Sequence, residues 1–156
     1  MKIIEVYFAS SWKHADTVKK LTDQLRFYGF NVYSWLENSG TEDPNKEAFS
    51  LEEWLQTQDS VRCFQYDLES IKRVQLLIYI GASGIDAWAE VGFAAGRGNC
   101  EIWALWGCNE KVGIMRKLIN RLFRTETELL TAAKSLLKQN GNTKQLELAN
   151  LMRAGQ

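Results

Sequence analysis

Residues 74–96 constrain the fold more than any other stretch of the sequence. Residues 74–80 are the most apolar run in the chain, residues 81–84 form a loop rich in glycine and serine, and residues 86–97 have a helical pattern. A short continuous apolar run with these neighbours is typical of a strand in a parallel sheet that is covered on both faces. In α/β folds, ligands bind where such strands lead into helices.

The rest of the chain alternates between the same two patterns. Further strands are predicted at residues 2–9, 31–35, 101–106 and around 122–123, and helices at 14–28, 61–74, 112–119, 125–138 and 143–152, with a short helical piece between 49 and 55. The alternation predicts an α/β class: a single Rossmann- or flavodoxin-like domain with a central parallel sheet of four to five strands and helices on both faces. We expect the ligand crevice at the carboxyl ends of the first and third strands.

Several residues predict local features of these elements. Gly29 should end the first helix, and Thr125 with Glu128 three residues later should form a capping box. In the 61–74 helix, Phe64, Leu68 and Ile71 are predicted to face the core. Glycine is costly inside a helix, so Gly92 and Gly96 indicate close packing on the sheet or a ligand nearby. The polar connection at residues 36–59 is typical of a lid or binding loop.

The composition limits the classes of function. A chain of 156 residues fits one domain, 1–156, with the C-terminal helices at 125–152 as part of it. The 19 basic and 19 acidic side chains balance to a net charge of +0, so no overall field attracts nucleic acid or an anionic membrane. No segment approaches the roughly 18 apolar residues of a membrane span. We therefore expect a cytoplasmic protein that binds a small molecule.

Metal and histidine chemistry are disfavoured by the residue types present. His14 is the single histidine, and the three cysteines Cys63, Cys100 and Cys108 contain no CxxC pair. Reduced structural thiols are the favoured interpretation of this set. We predict neither a metal site nor a cofactor, so acid–base chemistry would be carried out by carboxylates.

The loops after the first three strands should meet at one edge of the sheet. They would supply aromatic rings, hydroxyls and backbone N–H groups, and the predicted substrate-binding residues are Phe8, Ala9, Ser10, Ser11, Trp12, Trp35, Gly81, Ser83 and Gly84. Asp86 is predicted to cap the next helix, with Glu90 one turn later, where the helix dipole favours a negative charge. Such a glutamate suits a carboxylate nucleophile, but acidic residues also occur there because they stabilise helices. Tryptophans, likewise, either stack on a base or fill the core.

Three segments carry a resemblance to a known family: FASSW at residues 8–12, DLESI at residues 67–71 and AEVGFA at residues 89–94. Over residues 1–105 the chain resembles the nucleoside 2-deoxyribosyltransferase-like superfamily. The resemblance implies a Rossmann-like domain, usually oligomeric, that cleaves or exchanges the N-glycosidic bond of a nucleoside or nucleotide. It places the nucleophilic glutamate of that family on Glu90 and its helix aspartate on Asp67.

The resemblance also implies roles for the neighbouring residues. Asp67 or Asp86 would hold a sugar hydroxyl or protonate the leaving base, and Ser83 with the N–H groups of residues 81–85 would hold a 5′-hydroxyl or phosphate. Two other functions are open at this point. One is a TIR-like domain that hydrolyses NAD, and the other is a non-catalytic nucleotide-binding domain.

Overall fold

A five-stranded parallel sheet forms the centre of the molecule. The computed structural model describes residues 3–38, 50–111 and 113–154. Its strands are β1 (Glu5–Ala9), β2 (Asn31–Tyr33), β3 (Leu76–Ile80), β4 (Glu101–Leu105) and β5 (Arg121–Phe123), in the spatial order β2-β1-β3-β4-β5. Every pairing between neighbours is parallel. This is the flavodoxin-like order, so the predicted fold class is confirmed.

Helices cover both faces of this sheet. They are α1 (Ala15–Tyr28), α2 (Leu51–Leu55), α3 (Gln58–Arg73), α4 (Ile85–Gly96) and α5 (Glu126–Ala154), with short 3-10 turns at Trp12–His14, Trp35–Glu37 and Ile114–Leu118. α1 and α5 pack on one face, and α3 and α4 pack on the other. Because side chains alternate along a strand, β1 directs Val6 and Phe8 towards α1 and α5, and Tyr7 and Ala9 towards α3 and α4. No described helix is long and apolar enough to cross a membrane.

Some predicted boundaries are confirmed and others are wrong. The capping box forms: the Glu128 N–H donates to Thr125 Oγ1 at 3.2 Å, and the Thr125 N–H donates to Glu128 Oε2 at 3.3 Å. β2 ends at Tyr33, earlier than predicted. Residues 140–142 do not separate two helices, because α5 is continuous and one glycine inside a helix costs only about 1 kcal/mol. Of the predicted 36–59 loop, residues 39–49 lie outside the described residues, as does residue 112, while residues 51–55 form α2 and α3 already begins at Gln58.

α3 is longer than the strands on which it packs, and the exposure of its residues corrects one core prediction. Its 16 residues span about 24 Å, whereas the 5 residues of β3 span about 17 Å. α3 ends shortly before β3 begins, so only about its first five residues extend beyond the carboxyl edge of the sheet. Ile71 is buried and Leu68 is half-buried, but Phe64 is 65% exposed and does not face the core.

We expect Gly29→Ala to lower the free energy of unfolding by about 1 kcal/mol. Gly29 ends α1 in the left-handed conformation, with φ at 102°, which an L-residue adopts only with strain. A Cβ at Gly29 would have no neighbour within 4 Å, so the cost is purely conformational. Urea unfolding followed by circular dichroism measures the change.

Gly92→Ala is the matched control for this substitution. A Cβ at Gly92 would also have no neighbour within 4 Å, and Gly92 lies inside α4, where alanine should raise the free energy of unfolding by up to about 1 kcal/mol. Changes of the same sign in the two variants would contradict the explanation. The predicted close packing at Gly92 and Gly96 is wrong, because neither position has such a neighbour in the described residues.

Candidate active site

The carboxyl group of Glu90 meets a strand tyrosine on the α3 and α4 face of the sheet. Tyr7 Oη donates a hydrogen bond to Glu90 Oε1 at 2.8 Å, and Tyr7 is fully buried. α4 packs on the sheet through three buried residues, Ala87, Val91 and Ala94. Their spacing of three and four residues defines one face of the helix, and Glu90 lies next to that face. The bond therefore joins β1 to α4 at the carboxyl half of the sheet.

Asp67 from α3 completes a cluster of three side chains, which we call the acidic cluster: Tyr7, Asp67 and Glu90. The Tyr7 hydroxyl also faces the Asp67 carboxyl, and the two carboxyls are close enough to repel one another. The structure thus brings together Glu90 and Asp67. Tyr7 was not among the predicted site residues, because a tyrosine within an apolar strand has the pattern of a core residue.

Burial changes the protonation of both carboxyls. It raises the pKa of Asp67 to about 6, although the neighbouring Tyr7 hydroxyl acts in the opposite direction. Burial, and next the negative charge of Asp67, raise the pKa of Glu90 well above its usual range. The pKa of Tyr7 is raised by burial and by Glu90, so its hydroxyl stays a donor. The two carboxyls therefore titrate as a coupled pair, and both keep their protons to a higher pH than ordinary aspartate and glutamate side chains do.

The loops after β1 and β3 lie against each other, as their place in the sheet predicts. The Ser11 N–H donates to Ser83 Oγ at 2.9 Å, and the Gly84 N–H donates to Ser11 Oγ at 3.0 Å. Ser83 Oγ donates to the Ile80 carbonyl at 2.6 Å. His14 Nε2 lies 2.9 Å from the Ala82 carbonyl oxygen. The Ser83 hydroxyl and the Gly84 N–H, which were predicted to hold a 5′-hydroxyl or phosphate, are thus engaged in bonds within the protein. The same bonds connect the two loops to each other.

Most of the predicted aromatic site residues belong to the core. Phe8 and Ala9 are fully buried on opposite faces of the sheet, because they are consecutive residues of β1. Trp35 is buried as well, and its Nε1 donates to Ser10 Oγ at 3.2 Å. Its ring meets Trp12 at a centroid distance of 4.8 Å, with 67° between the planes. Trp12 is only partly buried, at the carboxyl edge.

Asp86 does not cap α4. The residue in the N-cap position is Gly84, and no side-chain bond caps the helix, which begins one residue earlier than predicted. Asp86 is exposed in the first turn. Its negative charge is nevertheless close enough to Glu90 to contribute to the raised pKa of that carboxyl.

No histidine, cysteine, aspartate or glutamate side chains of the described ranges form a group of three or more that could hold a metal ion. Cys63, Cys100 and Cys108 are free thiols. Among the described residues, a cavity of about 380 Å³ lies beside Gln75 at the amino edge of the sheet, and one of about 390 Å³ lies beside α1, where Trp12 is part of its lining. Neither is lined by the acidic cluster, so this site is identified by its side chains and not by its shape.

Comparison with known proteins identifies the fold. No family model and no curated protein matches the chain. Among solved structures, the 2-deoxyribosyltransferase of Bacillus psychrosaccharolyticus is similar, with a TM-score of 0.61 at 22% identity, over 81% of this chain and 90% of that one. A conserved protein from Enterococcus faecalis V583 has a TM-score of 0.61 at 20% identity, over 85% and 98% of the two chains.

A third solved structure has the same fold. It is the CMP N-glycosidase of Clostridium botulinum, with a TM-score of 0.52 at 20% identity, over 82% of this chain and 96% of that one. Similarity at these identities shows a shared fold. The resemblance that the sequence carries is therefore confirmed at the level of the fold.

Proposed function

We propose that this protein cleaves or exchanges the N-glycosidic bond of a nucleoside or nucleotide. The observation that carries the proposal is the acidic cluster: two carboxyls with raised pKa values beside one tyrosine hydroxyl, on the α3 and α4 face of a flavodoxin-like sheet. Half-buried carboxyl pairs with raised pKa values suit nucleophilic and acid–base chemistry at a sugar carbon. The fold shared with a deoxyribosyltransferase and an N-glycosidase supports the same chemistry.

Glu90 is the nucleophile in this proposal. Its carboxylate attacks the anomeric carbon of the sugar, the bond from that carbon to the base nitrogen breaks, and the bonding electrons leave with the base. The product is a glycosyl ester of Glu90. Water or a second base then attacks the same carbon, gives its proton to the Asp67 carboxylate and releases the Glu90 carboxylate, so the overall result is retention of configuration.

Asp67 is the proton donor for the leaving base. With a pKa of about 6, its carboxyl holds a proton at a pH where an ordinary aspartate has lost it. In the transition state the sugar becomes positively charged, and this charge stabilises the ionised form of the Glu90 carboxyl that faces it. The Tyr7 hydroxyl stabilises that ionised form by donating to Glu90 Oε1.

A panel of substrates tests the proposal. The protein is incubated with nucleosides, 2′-deoxynucleosides, their 5′-monophosphates and NAD, and free base is measured by liquid chromatography, with and without a second base. Release of a purine or pyrimidine is the expected result. Release of nicotinamide from NAD alone would support the NAD hydrolase instead. Binding without product would support a non-catalytic domain, and neither binding nor release would refute the proposal.

We expect Tyr7→Phe to move the acidic limb of the pH–rate profile to higher pH. The hydrogen bond from Tyr7 lowers the pKa of Glu90, so its removal raises that pKa further and Glu90 ionises only at higher pH. A hydrogen bond to a charged group contributes about 1.5–3 kcal/mol, so kcat/KM at neutral pH should fall roughly 10- to 100-fold. The measurement is kcat/KM for base release as a function of pH.

Tyr33→Phe is the matched control. Tyr33 is next to Tyr7 in the sheet register, and its hydroxyl donates to a different carboxylate, Glu5, at 2.8 Å. This variant should keep the wild-type profile. An unmoved acidic limb in Tyr7→Phe would show that the tyrosine does not act on Glu90.

A further inference from the structure

A second hydrogen-bonded group lies at the start of α4. Tyr79 Oη donates to Glu110 Oε2 at 2.6 Å and accepts two hydrogen bonds, from the Ser83 N–H at 2.9 Å and from Trp88 Nε1 at 3.0 Å. The Tyr79 and Trp88 rings also pack together, with centroids 4.6 Å apart. One hydroxyl thus connects β3 to both the loop before α4 and the first turn of α4.

The Glu110 carboxylate is built into this group as a buried charge. Its side chain is only 2% exposed, and Arg116 Nη2 donates to its Oε1 at 2.8 Å. The Arg116 guanidinium also lies over the Trp88 ring, 3.9 Å from the centroid. Removing one member of such a pair would leave an uncompensated buried charge, so the two residues hold each other in place.

The direction of the Tyr79 hydrogen bond follows from Glu110. A tyrosine hydroxyl has one hydrogen and a limited number of acceptor sites, and an ionised carboxylate can only accept. Because Glu110 takes the hydrogen, the lone pairs of the Tyr79 oxygen are turned towards the N–H groups of Ser83 and Trp88. A hydroxyl that was free to rotate would satisfy these two donors less well.

Gly81 shows how closely Glu110 approaches the loop. A Cβ added at Gly81 would collide with Glu110 Oε2 and with the Tyr79 ring. A side chain at position 81 would therefore displace the carboxylate from its bond with Tyr79. Packing against Glu110 and Tyr79 therefore explains why position 81 is a glycine.

We propose that Glu110 is a positioning residue for Glu90 and acts through Tyr79. This inference rests on the proposed function, because it assigns a role relative to the nucleophile of that reaction. Trp88 precedes Glu90 by two residues on the same helix, and α4 is attached to the sheet by two tyrosine hydroxyls, those of Tyr7 and Tyr79. Small displacements of a reacting group cost up to roughly 100-fold in rate. The Glu110–Tyr79 pair determines where the first turn of α4 lies.

Four variants test the inference: Tyr79→Phe, Glu110→Ala, Glu110→Gln and, as the control, Tyr33→Phe. Tyr79→Phe removes the acceptor of both N–H groups, and Glu110→Ala removes the carboxylate that orients it. Both should lower kcat roughly 10- to 100-fold and change KM by less than about 3-fold. Glu110→Gln retains an acceptor for Tyr79 and should recover most of kcat. Tyr33→Phe breaks a tyrosine–glutamate bond elsewhere and should change neither parameter.

Amide hydrogen exchange provides a readout that does not depend on activity. Exchange at residues 81–88 should become faster in Tyr79→Phe and Glu110→Ala, while exchange in β1 stays at the wild-type rate. If Glu110→Ala fails to fold, Tyr79→Phe alone decides. Unchanged exchange at residues 81–88, or faster exchange throughout the protein, would overturn the inference. If the wild-type protein releases no base, the proposed function fails, and exchange still decides whether Glu110 positions α4.

Discussion

Glu90→Gln is expected to abolish base release, with kcat lowered roughly 10⁴-fold or more. The amide has no negative charge to attack the anomeric carbon or to stabilise the cationic transition state. Its oxygen can still accept the Tyr7 hydrogen bond, so the packing of α4 on β1 is preserved. Steady-state and single-turnover measurements with the best substrate of the panel test this directly.

The same substitution should stabilise the protein near neutral pH. Glu90 has a pKa in the folded state above its unfolded value, so its contribution to stability is full below the unfolded pKa and is lost as the pH rises through the folded pKa. Glutamine carries no charge to bury. Glu90→Gln should therefore have the higher melting temperature at pH 8 and gain little at pH 4.

Glu69→Gln is the control for both effects. Glu69 lies on the exposed side of α3 and pairs with Lys72 at 2.7 Å, so its replacement should change kcat by less than about twofold. Retention of wild-type turnover by Glu90→Gln would remove Glu90 from the mechanism. A loss of turnover in both variants would point to a general effect of removing negative charge.

Asp67→Asn has the second-largest expected effect, a loss of roughly 10²- to 10⁴-fold in kcat at the optimum pH. The proton that Asp67 gives to the base is available only below its pKa of about 6, so wild-type activity should decline as the pH rises above that value. The asparagine variant should lose this alkaline limb. Its acidic limb should stay near that of the wild-type protein, because Asp67 is protonated and uncharged in that pH range.

The leaving group distinguishes a proton donor from a residue that holds a sugar hydroxyl. A nucleoside analogue whose base departs without protonation should be cleaved by Asp67→Asn nearly as fast as by the wild-type protein. Asp59→Asn, an exposed change in the first turn of the same helix, should leave the pH profile unaltered. An Asp67→Asn enzyme that is equally slow on both kinds of substrate would assign Asp67 to the sugar.

Local patterns were sufficient to predict much of the architecture. The apolar run before Gly81 became β3, in which every residue is buried, and the Thr125–Glu128 box opened α5 as expected. Such features depend on residues that are close together in the sequence, where periodicity and capping rules apply. Phe64 was misassigned because periodicity shows which residues of α3 share a side, but not whether other elements cover that side along its whole length.

The candidate site was only partly predictable for the same reason. Glu90 and Asp67 stand in motifs that resemble a family, whereas Tyr7 and Glu110 have no local signal: the first lies in an apolar strand and the second in a polar loop. Their partners are 83 and 31 residues away in the chain. A hydrogen bond over such a separation depends on the order of the strands and on where α4 is docked.

By itself, the sequence determined the alternation of strands and helices, the parallel sheet, and the segments whose loops meet at one edge, because these follow from short-range periodicity and from connection rules. Only the tertiary structure decided which side chains form the acidic cluster and how their pKa values are shifted. The pKa of a carboxyl depends on its solvation and on the charges that lie close to it in space. Both are set for the acidic cluster only when β1, α3 and α4 pack together.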